Sequence, residues 1–221
     1  MNSVAGEWMP DEIANRFNVS RETTVRLQAY VSLLLHWQRK INLIGPATAE
    51  DVWNRHIADS LQLLPHIKEV AGGEKPVLVD LGAGAGLPGL PLAIALECFS
   101  HLVESNGKKA AFLQQAVRQC GVSGAVHQTR IENIDSDALH PTPNIISARA
   151  LAPLEKLLTY AAPWLLNGCT GIFLKGQHVD NELTEATKYW NMDVHIAPSE
   201  VSSEGAIVVV KNLQPRRKPE E

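Results

Sequence analysis

The apolar positions in the first third of the chain recur at helical spacing. Over residues 23–44 they predict one long helix whose buried stripe comprises Val25, Leu27, Tyr30, Val31, Leu34, Leu35 and Trp37. Thr48 then offers an N-cap hydroxyl ahead of Glu50 and Asp51, which predicts a second helix from about Ala49 to just before Pro65. We therefore expect a helical extension over residues 1–70, packed on the rest of the chain.

From Pro76 the pattern changes to short apolar runs that alternate with helical patterns, which is typical of βαβ units and a mostly parallel sheet. The runs predict strands over residues 77–81, 101–103, 125–128, 145–148 and 171–174. Helices are predicted over residues 90–97, 108–120, 154–165 and 179–189.

Two final apolar runs, at 192–196 and 206–211, are separated by a short loop and predict an antiparallel hairpin. The chain is therefore expected to be an α/β protein with a doubly wound sheet of seven strands whose last strand is antiparallel. This is the Rossmann-like architecture of class I methyltransferases, whereas dinucleotide-binding sheets are typically all parallel. We assign this domain to residues 71–213 and a charged tail to residues 214–221.

Composition restricts the class of protein. A chain of 221 residues with 45% hydrophobic and 20% charged residues suits one globular domain with a modest extension. Its three cysteines are far apart and form no C-x-x-C pair, so we expect reduced thiols and no metal site. Without a basic leader or a run of roughly 20 apolar residues, a cytoplasmic protein with no membrane partner is expected. The net charge of −4 gives no support to a broad nucleic-acid surface, and the basic run Arg216-Arg217-Lys218 is short.

A glycine-rich turn follows the first predicted strand, over residues 80–89. Its glycines allow positive φ and close approach to a ligand, while the helix that follows presents free N–H groups. The match to G-x-G-x-x-G by itself leaves a dinucleotide open. Asp80 favours S-adenosylmethionine, because its carboxylate could approach the methionine ammonium. The cofactor residues predicted from this turn are Asp80, Gly82, Gly84 and Gly86.

Two further segments complete this predicted cofactor site. Glu104 ends the second strand, where a carboxylate can accept both ribose hydroxyls, a device that NAD sites share. After the third strand, the backbone near Ile131 together with Glu132 could frame the adenine edge. An NAD-dependent oxidoreductase and a module that binds without catalysis therefore stay open as alternatives, as does a methyltransferase acting on a small molecule or a protein.

Several motifs, taken together, resemble one family. They include Arg55-His56-Ile57-x-Asp59-Ser60-Leu61 and Leu87-Pro88-Gly89, which are specific, and the segments 42–44, 82–89, 147–151 and 175–176. The chain resembles the small-subunit ribosomal RNA methyltransferase G family, also called glucose-inhibited division protein B, from about Trp37 to Lys211.

The resemblance implies methyl transfer from S-adenosylmethionine to N7 of a guanine in the decoding-region loop of 16S ribosomal RNA. The implied partner is that RNA within the 30S subunit, with no DNA. Guanine N7 has an unprotonated lone pair at neutral pH, so no catalytic acid or base is assigned. The family's cofactor contacts fall on Gly82, Leu87, Ile131, Glu132 and Arg149.

Four residues are candidates for positioning the base. His56 and Asp59 lie three positions apart on the second predicted helix, close enough to share one face. Arg149 and Lys175 end strands at the edge where open α/β sheets bind ligands. Further candidates for RNA contact are Arg39, Lys40, Arg55, Lys108, Lys109 and Arg118, although the last three could equally be the polar face of an amphipathic helix.

One prediction follows from the turn itself. Gly84→Val should abolish S-adenosylmethionine binding, because it places a branched side chain where the ligand approaches the backbone. Isothermal titration calorimetry measures this directly. Unchanged affinity in the variant would contradict the assignment of the turn.

Overall fold

The computed structural model describes residues 9–216. Seven strands in this range form one sheet, namely β1 (Val77–Leu81), β2 (Phe99–Val103), β3 (Gly124–His127), β4 (Ile145–Arg149), β5 (Thr170–Lys175), β6 (Trp190–Pro198) and β7 (Ala206–Pro215). Their order is β3-β2-β1-β4-β5-β7-β6. The first five strands are parallel, and β7 runs antiparallel to both β5 and β6. The predicted sheet of seven strands with an antiparallel last strand is confirmed, and β7 lies inside the sheet, between β5 and β6.

The α-helices in the same range are α1 (Pro10–Phe17), α2 (Arg21–Gln38), α3 (Asp59–Leu61), α4 (Leu64–Ala71), α5 (Gly89–Leu96), α6 (Gly107–Gln119), α7 (Leu154–Leu165) and α8 (Val179–Ala186). Strand β1 and helix α7 have the predicted bounds, whereas most other predicted elements of the sheet domain differ at their ends. No helix among residues 9–216 is both long and apolar enough to cross a membrane.

Helix α2 ends at Gln38, not at Ile44 as the apolar pattern predicted. The side chain of Gln38 explains the early end. Its Oε1 accepts hydrogen bonds from the N–H groups of Leu43 at 2.8 Å and Ile44 at 3.0 Å, and its Nε2 donates to the Ile44 carbonyl at 2.8 Å. These bonds satisfy backbone groups that a longer helix would otherwise pair.

The second predicted helix is wrong in its bounds. A 3₁₀ turn at Pro46–Thr48 is followed by a π-helical segment at Trp53–Ala58, which continues into α3. Thr48 caps no α-helix, because its hydroxyl donates to the Gly45 carbonyl at 2.8 Å. Pro65 does not end a helix but lies in the first turn of α4, where a missing N–H costs no hydrogen bond.

The N-terminal helices and one face of the sheet share a single apolar core. Buried side chains of α1, α2 and α4 belong to the same cluster as those of α5, α6 and one side of the strands. A second cluster joins the opposite side of the sheet to α7 and α8. Residues 9–71 thus pack on the same side of the sheet as α5 and α6.

Tyr30 connects this helical region to the glycine-rich turn. Its side chain is fully buried, and its ring lies 6.4 Å from the ring of Phe112, measured between centroids. Its hydroxyl donates to the carbonyl of Ala85 at 2.7 Å. Helix α2 therefore supports the turn from the side opposite to the sheet.

Tyr30→Phe removes this hydroxyl and keeps the ring, so the buried carbonyl of Ala85 loses its donor. We expect the free energy of unfolding to fall by about 1–2 kcal/mol, measured by urea denaturation. Tyr189→Phe is the matched control because Tyr189 is exposed, and it should change the same free energy by less than about 0.5 kcal/mol. Equal losses in both variants would contradict the role given to the Tyr30 hydroxyl.

Candidate active site

Two cavities open at the carboxyl edge of the parallel strands, where open α/β sheets bind ligands. The first cavity, of about 340 Å³, is lined by the glycine-rich turn, the end of β2, the 3₁₀ turn Ile131–Asn133 and the start of α7. The second cavity, of about 220 Å³, is lined by the ends of β4 and β5, the loop before β7 and two residues near α3. Ala150 lines both cavities.

The glycine-rich turn contributes two of its glycines to the first cavity. Gly82 has a φ of 67°, and a Cβ there would lie 2.6 Å from the Leu151 side chain, so only glycine fits. Gly84 has a φ of 57° and also lines the cavity. Gly86 and Leu87 are buried and do not line it, because Gly86 packs against Leu90 beneath the turn. The structure thus brings the first two glycines, but not Gly86 or Leu87, to the expected position.

Asp80 lies in the interior and not at the cavity. Its side chain is fully buried, with Oδ1 accepting from the Ser147 hydroxyl at 2.7 Å and Oδ2 from the Gly89 N–H at 3.2 Å. Burial raises the pKa of this carboxyl to about 7, against the opposing effect of the two hydrogen bonds. The structure does not bring Asp80 to the position expected for contact with a ligand ammonium, because its side chain is fully buried between Ser147 and Gly89 and does not line the first cavity.

Glu104 is at the predicted position, on the wall of the first cavity. Its Oε2 accepts from the Gly84 N–H at 2.9 Å, and its Oε1 accepts from the Asn106 N–H at 2.7 Å. A carboxylate offers about four lone-pair positions, so each oxygen can accept one more donor. Ile131 and Glu132 line the same cavity. This combination of acceptor, apolar side chain and bare glycine backbone fits the ribose, adenine and methionine parts of S-adenosylmethionine.

His56 lies beside the second cavity and is only 4% exposed. Its Nδ1 is 2.9 Å from Nη2 of Arg149, and a guanidinium can only donate, so Nδ1 accepts and the proton is on Nε2. Nε2 therefore donates to the Thr48 hydroxyl at 2.8 Å, which in turn donates to the Gly45 carbonyl. Burial first, and then the charges of Arg149 and Arg55, lower the pKa of His56 to about 3. His56 is thus a neutral acceptor that orients Arg149.

Asp59 holds the same guanidinium from another side. Its Oδ2 forms an ion pair with Arg149 Nη1 at 3.2 Å, and its Oδ1 accepts from Gln62 Nε2 at 2.7 Å. Burial raises the pKa of Asp59, while Arg149 and Arg55 act in the opposite direction. Gln62 also accepts from the Ser199 hydroxyl, which ties the loop before β7 to this cluster.

The structure thus brings His56, Asp59 and Arg149 together, as candidates for positioning a base. Arg149 and Arg55 line the second cavity and not the first, although the family resemblance assigned Arg149 to the cofactor. No sequence pattern indicated that Ser199 and the loop before β7 line this cavity.

Lys175 also lines the second cavity, but its charge is engaged. Its Nζ donates to the Ala152 carbonyl at 2.8 Å and forms an ion pair with Glu182 Oε2 at 2.6 Å. The side chain is only 9% exposed. Lys175 is therefore not a free positive charge for positioning a base, because Glu182 of α8 already neutralises it.

The other basic candidates for RNA contact are divided between the two opposite edges of the sheet. Helices α2 and α6 run antiparallel, since Arg26 donates to the carbonyls of Cys120 and Gly121 and Trp37 contacts Gln115. Arg39 and Lys40 therefore lie toward the carboxyl edge of the sheet, as do Lys108 and Lys109 in the first turn of α6. Arg118, in the last turn of α6, lies at the far edge. In the tail, Arg217 and Lys218 lie outside the described residues.

Sequence reasoning missed several residues of the first cavity, among them Lys156 and Tyr160. Lys156 Nζ lies 5.5 Å from the centroid of the Tyr160 ring. Both residues are on α7, which starts close after β4 at the same edge of the sheet. Their position shortly after the end of β4 was the one feature of the sequence that could have indicated a place in this cavity.

Comparisons with known proteins identify relatives of this chain. Residues 23–207 match the family model described as rRNA small subunit methyltransferase G. A protein named ribosomal RNA small subunit methyltransferase G from Nitrobacter hamburgensis is 46% identical over 208 residues, covering 91% of this chain and 76% of that relative. The protein of that name from Rhodospirillum rubrum is 46% identical over 204 residues, covering 92% and 98%.

A solved structure is similar in fold. It is a mutant of MtNAS in complex with S-adenosylmethionine, with a TM-score of 0.55 and 13% identity, covering 94% of this chain and 85% of that chain. At that identity, the likeness shows the shared architecture of the sheet and its helices.

The neutral state of His56 predicts a pH dependence of stability. Below pH 6.5 the unfolded chain takes up a proton on this imidazole, whereas the folded chain does so only near pH 3. The free energy of unfolding should therefore fall with acidification across this window, by up to about 1.4 kcal/mol per pH unit. In His56→Asn, the amide oxygen can replace Nδ1 as the acceptor for Arg149 and does not titrate.

Urea denaturation at several pH values between about 7.5 and 5 measures this difference. His56→Asn should lose less stability on acidification than the wild-type protein. His178→Asn, at an exposed position, controls for the substitution itself. Identical slopes for His56→Asn and the wild-type protein would mean that folded His56 is protonated as readily as in the unfolded chain.

Proposed function

The chain belongs to the ribosomal RNA small subunit methyltransferase G family, and on this premise we propose that it methylates N7 of a guanine in the decoding-region loop of 16S ribosomal RNA. The methyl donor is S-adenosylmethionine, and the substrate is the RNA within the 30S subunit in the cytoplasm. We assign residues 71–213 to the methyltransferase domain and residues 1–70 to an extension, of which the described part packs on that domain.

The observation that carries this proposal is the position of Ala150 between the two cavities. Methyl transfer needs the donor and the acceptor in line at near-attack distance, so their binding sites must adjoin. Ala150 has a φ of 50°, which is unfavourable for an L-residue and which costs on the order of 1 kcal/mol. Such backbone is typical of functional sites, where the surrounding structure maintains it.

The residues of the first cavity suit each part of the donor. Glu104 accepts the ribose hydroxyls, the 3₁₀ turn at Ile131 and Glu132 contacts the adenine, and the backbone at Gly82 and Gly84 leaves room for the methionine part. S-adenosylmethionine supplies an electrophilic methyl group on a positively charged sulfur. Asp80 contributes indirectly, by fixing the strand from which the turn starts.

The second cavity supplies position and charge in place of a catalytic base. Guanine N7 needs no deprotonation before attack, and His56, with its Nδ1 accepting from Arg149, has no free lone pair for a proton. The Arg149 guanidinium is instead held between His56 and Asp59. Most of the rate enhancement is therefore expected from orientation of the base against the methyl group.

Transfer of tritiated methyl from S-adenosylmethionine to 30S subunits that lack the modification tests this function. We expect label in 16S RNA that is recovered as 7-methylguanosine on nucleoside analysis. Glu104→Gln keeps the size of the side chain and removes its charge, so the KM for S-adenosylmethionine should rise roughly 10- to 100-fold with the same product. Binding of S-adenosylmethionine by the wild-type protein without any transfer to these subunits would contradict the proposal.

A further inference from the structure

We propose that Asp59 and Arg149 select guanine at the second cavity, with Asp59 accepting from N1–H and the N2 amino group and Arg149 donating to O6. This inference rests on the proposed function, since it assumes that the acceptor base occupies the second cavity. It assigns the choice of base to two side chains from distant parts of the chain.

The first argument is the spatial order of the groups. Ala150 borders both cavities, Arg149 precedes it at the end of β4, and Asp59, which lines only the second cavity, lies 3.2 Å from Nη1 of the guanidinium. Along the edge of guanine the order is N7, then O6, then N1–H and the N2 amino group. A base with N7 toward the methyl donor thus presents O6 to Arg149 and its two donors to Asp59.

The second argument is that both groups retain unused hydrogen-bonding capacity. Each oxygen of Asp59 has one partner, Gln62 or Arg149, which leaves about two of the four lone-pair positions of the carboxylate. Arg149 donates to His56 through Nη2, and its Nη1 is a buried atom that faces Asp59 without a hydrogen bond among the described residues. A guanidinium has five N–H donors, so the donor to O6 is one of the other N–H groups of Arg149. The two side chains are 17% and 22% exposed, so the cavity reaches both.

The third argument is that these two groups reject adenine. Adenine carries an amino donor in place of O6 and an unprotonated N1 in place of N1–H. It would turn a donor toward the guanidinium and a lone pair toward the carboxylate, so neither half-buried charge would gain a hydrogen bond from the base. A site built from such hydrogen bonds discriminates strongly against a base that cannot form them.

The surrounding structure keeps both groups in place. His56 and Thr48 orient the guanidinium, and Gln62 orients the carboxylate while also binding the loop before β7. Selectivity by hydrogen bonding requires such fixed geometry, because a mobile side chain could adapt to either base.

Replacement of the target guanosine by inosine removes only the N2 amino group and tests the contact with Asp59. The substrates are 30S subunits reconstituted from 16S RNA, ligated so that the target position carries guanosine or inosine. The wild-type enzyme should lose roughly 10- to 100-fold in kcat/KM on inosine, because a hydrogen bond to a charged group is lost. Asp59→Asn should be slower on guanosine and should show less than about a threefold further loss on inosine.

Glu132→Gln is the matched control, since it makes the same change of carboxylate to amide in the first cavity. It should keep the full inosine penalty. The affinity of Asp59→Asn for S-adenosylmethionine, measured by calorimetry, should stay within about twofold of the wild-type value, which establishes that the variant is folded.

Two results would overturn the inference. One is an equal inosine penalty in the wild-type enzyme and Asp59→Asn, and the other is no inosine penalty in the wild-type enzyme. A failure of the proposed function has a different signature, because the wild-type enzyme would then leave the guanosine substrate unmethylated at N7.

Discussion

A buried carboxylate at the centre of the sheet determines how the edge of the sheet is built. Asp80 of β1 accepts one hydrogen bond from Ser147 of β4 and one from the first residue of α5. These two donors partly offset the cost of burial, which is large enough to raise the pKa of this carboxyl to about 7. The two central strands and the helix after the glycine-rich turn are thereby held in register. Both cavities depend on this register, because the turn borders the first and Arg149, two residues after Ser147, borders the second.

The N-terminal helical region completes the site as well as the core. Tyr30 supports the glycine-rich turn through the carbonyl of Ala85. The π-helical segment and α3 supply His56 and Asp59 to a series of hydrogen bonds and one ion pair that runs from Thr48 through Arg149 to Gln62 and the loop before β7. Three distant parts of the chain therefore form the wall of one cavity.

The two cavities differ in how far the sheet topology alone accounts for them. The first is made almost wholly from loops that follow the parallel strands, and these loops are present in any sheet of this topology. The second uses the Arg55 to Leu61 motif of the N-terminal region and the loop between β6 and β7. That division is consistent with the comparisons, since a structure at 13% identity shares the sheet while the family model matches residues 23–207, a range that includes the motif.

The sequence by itself determined the strands, the glycine-rich turn and the place of Glu104, because periodicity and turn chemistry act between neighbouring residues. Only the tertiary structure decided which charged groups are free. Asp80 meets Ser147 and Gly89, Lys175 meets Glu182, and Arg149 meets His56, 93 residues away in the chain. The early end of α2 has a similar cause, since a single Gln38 side chain competes with the helical hydrogen bonds. The chemistry of an ionisable side chain depends on its burial and its partner, and the packing of distant segments decides both.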